Sequence, residues 1–179
     1  MQREVDRLRE IIHQLVVHSM HESQEENCYL DLNQIYRDEL TLYTNDPFFK
    51  HRVEKDFHFA PGLPPIYGHY VDFSQSFRMF VDNALEAMAD SPRRRLTVAT
   101  LWRQNYRVLQ VGDTGCGIPA TVQSHLFEPF FTTKGTEQKP RAGLGLFMAR
   151  RLLRPYQAEI IIKSKPGETW VTVNLPFSR

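Results

Sequence analysis

Apolar residues recur at helical spacing near the N-terminus of this chain. Val5, Leu8, Ile12 and Leu15 follow a 3-4-3 spacing, which is the pattern of a helix that packs against another helix. Two heptads are too few to separate a coiled coil from an ordinary amphipathic helix. The pattern therefore predicts a short N-terminal helix and leaves its packing partner open.

Three further helices are predicted downstream. A helix over residues 74–89 places large apolar side chains near one face, and these are Phe73, Phe77, Phe80, Ala84 and Met88. Residues 143–154 contain a Leu-Phe-Met-Ala stripe that we assign to the core. Another helix is expected after Asp31-Leu32-Asn33, because aspartate and asparagine cap helix N-termini.

Strand-like alternation lies between these helices. Residues 57–59 form a strand that ends before Pro61. Two hairpins are predicted from strands that flank turn-forming residues, namely 96–101 with 106–111 and 160–163 with 170–175. Helices interleaved with hairpins indicate an α/β two-layer sandwich, in which helices cover a mixed, mostly antiparallel sheet.

Two segments lack a regular pattern. Residues 22–27 form a polar linker, so we place a boundary near residue 28, with the end of a helix and its linker in 1–27 and the main domain in 28–179. Residues 119–142 are rich in Thr, Gly, Pro and Lys. They are long for a loop, which is typical of lids and binding segments.

Composition narrows the class of protein. A hydrophobic content of 41% is well above that of disordered chains. Residues 1–60 carry a net charge of −5 and residues 61–179 a net charge of +6. The basic part suits a polyphosphate ligand, although solvated surface charge is the commoner explanation. We expect no nucleic-acid partner.

The two cysteines and the absence of long apolar runs indicate the compartment. Cys28 and Cys116 are too few for a disulfide or zinc framework, which suits a reducing compartment. No apolar run approaches the ~18 residues that span a bilayer. We expect a cytoplasmic domain, which in a longer protein can be anchored to a membrane.

Asp113 and two glycines form the first candidate ligand site. Asp113 follows an apolar strand and precedes Gly115 and Gly117. A carboxylate there can accept a hydrogen bond from the exocyclic amine of adenine, and the glycines let the backbone turn sharply beside the purine. An ordinary turn has the same sequence, so this motif is weak alone.

A helix start forms the second candidate site. Gly143-Leu144-Gly145 opens a predicted helix, whose free amides and dipole favour a phosphate group. Lys134 can reach a phosphate from the lid segment, and a solvated lysine is nearly as good an explanation. Arg141 lies next to the phosphate-binding turn.

Together, four short segments resemble the N, G1, F and G2 boxes of sensor histidine kinases. They are Asp82–Ala87, Asp113–Pro119, Phe127–Lys134 and Gly143–Leu146, in this order along the chain. The catalytic domain of that family binds ATP in the Bergerat fold, which DNA gyrase and a heat-shock chaperone share. Asn83-Ala84-Leu85-Glu86-Ala87-Met88 makes the chain most similar to the nitrogen-regulation type.

The resemblance implies a ligand, a metal and partners. It implies that Asn83 coordinates the Mg²⁺ that bridges the phosphates of ATP, and an amide oxygen suits that ion. The γ-phosphate would pass to a histidine on a separate dimerisation helix and then to a response regulator, in a full-length homodimer. The implied nucleotide-binding residues are Asn83, Asp113, Gly115, Gly117, Ile118, Thr133, Lys134, Arg141, Gly143, Leu144 and Gly145.

The chain departs from the family pattern at a few positions. Similar kinases carry a polar residue four positions before the metal-binding asparagine, on the same helix face, and this chain has Met79. A thioether is neither a general base nor a good Mg²⁺ ligand, so no catalytic residue is assigned. Arg141 replaces a usual glycine, and Tyr156-Gln157-Ala158 replaces a glycine-rich turn.

Met79 leaves a second hypothesis, a degenerate kinase that acts as a nucleotide-binding or interaction module. An ATPase of the chaperone or topoisomerase kind would need a carboxylate at that position. A serine kinase of the anti-sigma type fits the N-terminal helix less well. His21-Glu22 begins like a phosphoacceptor motif but lacks its continuation, so we expect no acceptor histidine in this chain.

Overall fold

The structure, a computed structural model, describes residues 26–132 and 143–177. The predicted N-terminal helix, Thr133, Lys134 and Arg141 lie outside the described residues. The elements are β1 (Cys28–Leu30), α1 (Leu32–Leu42), α2 (Pro47–Arg52), β2 (Glu54–Phe59), β3 (Ile66–Gly68), α3 (Tyr70–Ala87), β4 (Arg95–Arg103), β5 (Tyr106–Asp113), α4 (Gly145–Leu153), β6 (Glu159–Lys165) and β7 (Glu168–Pro176).

A five-stranded sheet in the order β2-β4-β5-β7-β6 forms one layer of the domain. Strands β2 and β4 are parallel, and the other neighbours are antiparallel. The short strands β1 and β3 pair separately. Both predicted hairpins, β4–β5 and β6–β7, are present. The predicted α/β fold with a mixed, mostly antiparallel sheet and a covering layer of helices is therefore confirmed.

The core lies between one face of this sheet and the helices. Alternate residues of the strands are buried, such as Val98 on β4 and Val173 on β7. All five apolar residues predicted for one face of α3 are buried as well, namely Phe73, Phe77, Phe80, Ala84 and Met88. Apolar residues that recur every two positions in the strands and every 3.6 positions in the helices therefore line the same core.

Helix α1 is fixed by its cap and by one buried side chain. The carboxylate of Asp31 accepts hydrogen bonds from the backbone N–H groups of Asn33 and Gln34, at 2.9 and 3.2 Å, as the sequence predicted. The Asn33 amide donates to the carbonyl of Ala60 and accepts from the Thr100 hydroxyl. This side chain therefore joins α1 to the sheet through buried hydrogen bonds, which are costly to leave unmade.

Helices α1 and α3 are also joined by an ion pair. The Glu39 side chain is only 4% exposed, and its carboxylate lies 2.8 Å from the Arg78 guanidinium. The hydroxyl of Tyr70 donates to the other carboxylate oxygen. Hydrogen bonding to Glu39 raises the pKa of Arg78. The pair therefore links α1 to α3, in addition to the apolar contacts of the core.

The turn after α4 is tied to the start of α3. The Tyr156 hydroxyl donates to Asp72 at 2.6 Å and accepts from the His69 N–H at 3.0 Å. Burial, followed by the hydrogen bond to Asp72, raises the pKa of Tyr156, so the phenol remains a donor. The connection before β6, predicted as a departure from a glycine-rich turn, thus holds α3 and α4 together.

Several boundaries differ from the predictions. Helix α3 begins at Tyr70, four residues before the predicted start, and α4 begins at Gly145 instead of Gly143. The short strands β1 and β3 were not predicted, because three residues do not show an alternation. Helix α2 was also missed, although Asp46 caps it and Pro47 opens it, a combination typical of helix starts. No helix in the described ranges is long and apolar enough to cross a membrane.

Replacing Gln157 by glycine should stabilise the domain. Gln157 has a φ of 54°, and this left-handed conformation costs a residue with a Cβ about 1 kcal/mol. We expect Gln157→Gly to raise the free energy of unfolding in urea by about that amount. Gln157→Ala is the matched control and should leave stability unchanged. A loss of stability in the glycine variant would contradict the argument.

Candidate functional site

Asp113 is the last residue of β5 and is buried, with 7% of its surface exposed. One carboxylate oxygen accepts a hydrogen bond from the Gly115 N–H at 2.8 Å. This short turn fixes the orientation of the carboxylate. A buried and oriented acceptor is suited to select a ligand that presents an N–H donor, because a ligand without one leaves the acceptor unsatisfied.

The glycines after Asp113 are required by close contacts with two other elements. A Cβ on Gly115 would lie 2.6 Å from the backbone of Ala87, at the end of α3. The next N–H, that of Cys116, donates to the Ala87 carbonyl at 3.0 Å. Gly117 has a φ of +78°, and its Cβ would overlap the carbonyl of Lys165 on β6. The turn is therefore held between α3 and the β6–β7 hairpin, while its approach to a purine remains a prediction.

A small polar cluster continues from this turn onto the sheet. The Ile118 N–H donates to the Ser164 hydroxyl at 2.8 Å, and the Ser164 and Thr169 hydroxyls are also 2.8 Å apart. Gln123 donates to the carbonyls of Ile118 and Ser164. Thr169 is buried and stands opposite Asp113 in the β5–β7 register.

The sequence analysis missed Ser164 and Thr169 as residues of this region. Each is a hydroxyl at a core-facing position of a strand whose other core-facing residues are aliphatic, such as Ile162 on β6 and Val171 on β7. In both strands a polar residue takes a position where the alternation predicts an apolar one. This is the sequence feature that could have identified Ser164 and Thr169. It indicates that the buried hydroxyl has a specific hydrogen-bonding partner.

Asn83 and the start of α4 meet on the other side of this region. Asn83 is half-buried on α3, and its amide nitrogen would lie 3.8 Å from a Cβ on Gly145. Asn83 lies one helical turn before Ala87, which corresponds to roughly 6 Å along α3. Met79 lies one further turn back, half-buried and packed against the core.

The segment 127–132 packs against the beginning of α4. Gly143 has a φ of +64°, and a Cβ there would lie 2.7 Å from the backbone of Phe130 and Phe131. The Arg150 guanidinium lies 5.1 Å from the centre of the Phe127 ring and donates to the Phe127 carbonyl. This segment is therefore joined to α4 through Phe127 and to Gly143 through the backbone of Phe130 and Phe131.

The structure brings most of the predicted site residues around the second half of α3. Asp113, Gly115, Gly117 and Ile118 form a turn that lies between the end of α3 and β6, and Gly145, which follows Gly143 and Leu144, lies beside Asn83. Thr133, Lys134 and Arg141 are outside the described ranges. The arrangement offers an oriented carboxylate at one end and the first amides of a helix at the other.

The side chains near Asn83 suit Mg²⁺, which needs few protein ligands, better than a metal ion that is bound by protein side chains alone. Among residues 26–132 and 143–177, no group of three His, Cys, Asp or Glu residues could hold a metal ion. Mg²⁺ commonly keeps several waters and takes one or two protein oxygens together with substrate phosphates. The amide oxygen of Asn83 can serve as such a ligand, whereas the sulfur of Met79 is too soft for this ion.

Comparisons with known proteins identify the family to which the sequence motifs are similar. Residues 68–179 match the model of the family described as histidine kinase-, DNA gyrase B- and HSP90-like ATPase. The chain is 27% identical over 145 residues to the sensory histidine kinase/phosphatase NtrB of Rhizobium meliloti, covering 73% of this chain and 37% of that protein. It is 29% identical over 168 residues to the histidine-protein kinase AtoS of Escherichia coli, covering 92% of this chain and 26% of that protein.

A solved structure shows the same fold. The catalytic domain of histidine kinase ThkA, in a nucleotide-free form, superposes with a TM-score of 0.73 at 21% identity, covering 87% of this chain and all of that one. At this identity the likeness concerns the fold alone. The chain spans 37% of the length of NtrB and 26% of the length of AtoS.

Residues 113–117 form the Asp113 turn, and its packing can be tested with two glycines of similar conformation. Gly117 and Gly167 have φ values of +78° and +83°, but a Cβ on Gly167 would meet nothing within 4 Å. We expect Gly117→Ala to lose about 1–3 kcal/mol more unfolding free energy than Gly167→Ala, because only its methyl group overlaps backbone. Urea denaturation measures both, and equal losses would show that the turn is not held against β6.

Proposed function

Because the chain belongs to the histidine kinase-, DNA gyrase B- and HSP90-like ATPase family, we propose that it is the ATP-binding catalytic domain of a sensor histidine kinase. ATP is the ligand that the family description implies. The observation that carries the proposal is the convergence of Asp113, Asn83 and the first residues of α4 around one helix.

The adenine would bind at the Asp113 end. The Asp113 carboxylate would accept a hydrogen bond from the exocyclic amine, and the Ser164–Thr169 pair lies on the adjacent strands. Guanine carries a carbonyl at the position of that amine, and a buried carboxylate facing a carbonyl oxygen is unfavourable. We therefore expect this end of the site to prefer ATP over GTP.

The phosphates would lie between Asn83 and the start of α4. Gly145 leaves room for a phosphate beside the first backbone amides of α4, where the helix dipole favours negative charge. Mg²⁺, when bound with the nucleotide, would neutralise phosphate charge, and Asn83 would hold it through its amide oxygen. Lys134 and Arg141, which we assign to the lid from sequence, would add positive charge.

The reaction would be transfer of the γ-phosphate to a histidine of a separate helix. Phosphoryl transfer needs positioning and charge stabilisation more than covalent chemistry by the protein, and the residues of this site serve those two purposes. The relatives NtrB and AtoS are named as histidine kinases. We propose that residues 28–179 are the catalytic domain, that residues 1–27 end a dimerisation helix, and that the phosphate passes to a response regulator in the cytoplasm.

Met79 supports a second candidate, a nucleotide-binding module with weak or no transfer. Its side chain packs against the core one turn from Asn83, where similar kinases have a polar group. The site keeps the residues proposed to hold the nucleotide and lacks one that would help to place the phosphates. Measuring binding and transfer separately distinguishes the two candidates.

Asp113→Asn should abolish or strongly weaken nucleotide binding. The amide keeps the shape of the carboxylate but removes the charged acceptor, and hydrogen bonds to charged groups contribute about 1.5–3 kcal/mol. We expect a loss in Mg-ATP affinity of about tenfold or more by isothermal titration calorimetry. Asp90→Asn, an exposed aspartate just beyond α3, is the control with the same chemical change. Unchanged binding in the Asp113 variant would exclude the adenine assignment.

Met79→Asn should increase phosphoryl transfer without a matching change in nucleotide affinity. The amide would restore a polar group beside the phosphates, which acts mainly in the transition state. The measurement is transfer of labelled phosphate to a separately supplied phosphoacceptor helical hairpin, with Met79→Leu as the apolar control. Equal transfer by the wild type and both variants would show that this position does not limit the reaction.

A further inference from the structure

The sheet face opposite helices α1, α3 and α4 carries a groove of about 440 Å³. It runs across β4, β5, β7 and β6, on the side opposite the core-facing residues. The residues that matter for its chemistry are Arg103, Tyr106, Ile161, Lys163, Trp170 and Asn174. None of them belongs to the proposed nucleotide site.

A cation stands beside an aromatic ring at each end of this sheet-face groove. Arg103 on β4 is opposite Tyr106 on β5, and Lys163 on β6 is opposite Trp170 on β7. Strand spacing and residue rise separate the two cationic positions by roughly 25 Å along a diagonal of the sheet. An extended chain of about seven residues has this length.

The two cations of the groove are available for a ligand. On the same face, Arg95 pairs with Glu54 at 2.6 Å and Lys165 pairs with Glu168 at 2.7 Å. Within the part of the chain that the structure describes, Arg103 and Lys163 have no such partner.

Two acidic residues flank the groove, and these are Glu159 and Glu168, of which Glu168 pairs with Lys165. The carboxylate of Glu159 accepts a hydrogen bond from Asn174 at 3.0 Å. The two cations, Arg103 and Lys163, outnumber the one carboxylate of Glu159, so the charge at the groove is net positive, and carboxylates complement it.

At one end of the sheet-face groove, the Trp170 ring is held in place without a ligand. A Cβ on Gly112 would lie 2.6 Å from the Trp170 ring, so the ring lies directly against the β5 backbone. The indole N–H donates to Glu168 at 3.1 Å. A wall that is fixed before binding reduces the conformational entropy lost when a partner docks.

We propose that this groove binds an extended acidic segment of a partner protein. Carboxylates of the segment would meet Arg103 and Lys163, and apolar side chains between them would pack on Ile161 and the two aromatic rings. Two widely spaced cations match a peptide better than a nucleic acid, whose phosphates repeat along each strand and need a denser basic surface. This docking site lies on the opposite side of the sheet from the nucleotide and does not depend on the proposed function.

The test is a titration of the ¹⁵N-labelled chain followed by NMR. The probe is a capped heptapeptide with glutamates at both ends and valines between them. We expect saturable shifts of the amides of Arg103, Tyr106, Lys163 and Trp170, and no shifts at Gly115. Arg103→Ala with Lys163→Ala should weaken binding about tenfold. The matched double variant Lys50→Ala with Arg151→Ala, which removes the same charges elsewhere, should bind as the wild type does.

Several results would overturn this inference. One is the absence of shifts at the groove amides, and another is shifts confined to the Asp113 turn. Equal binding of the same peptide with lysines in place of glutamates would exclude charge recognition. Tighter binding of a single-stranded oligonucleotide or of anionic vesicles through the same amides would assign the groove to a different class of partner.

Discussion

The contact between the Asp113 turn and the end of α3 holds the candidate site together. Gly115 lies so close to Ala87 that a single methyl group would not fit, and the Cys116 N–H donates to the carbonyl of the same residue. This contact connects a strand end to the helix that carries Asn83. The spacing between the two ends of the site is therefore set by the rise of one helix, which is stiffer than any loop. Ligand-binding groups on such elements are held more accurately than groups on loops.

A second constraint comes from the one-sided packing of the sheet. Helices α1, α3 and α4 cover one face, so the core and the candidate nucleotide site are both on that side. The other face carries the sheet-face groove and its own pattern of charges. The two sides share the strands β5 and β7, but they use residues that alternate along them, so substitutions on one side leave the other side chains in place.

The sequence predicts the parts of this molecule that depend on local periodicity. The hairpins and the apolar face of α3 follow from repeats of two and 3.6 residues, and the cap at Asp31 follows from its side chain. The sheet order, the parallel pairing of β2 with β4 and the polar cluster of Ser164 with Ile118 depend on contacts between distant residues. No local pattern encodes those contacts. The positions of Asp113 and Asn83 could be assigned only because several motifs occur in a fixed order.

The position of β6 at the sheet edge has a consequence for solubility. The strand contains Ile160, Ile161 and Ile162 in succession, and an apolar edge strand with unpaired backbone groups can recruit a strand from another molecule. The amide of Gln123 donates to the Ser164 carbonyl, and Lys163 and Lys165 place charge along the same strand. The segment that follows the Asp113 turn therefore satisfies one backbone carbonyl of this edge strand. Gln123 thus contacts both the turn after Asp113, through the Ile118 carbonyl, and the backbone of the edge strand.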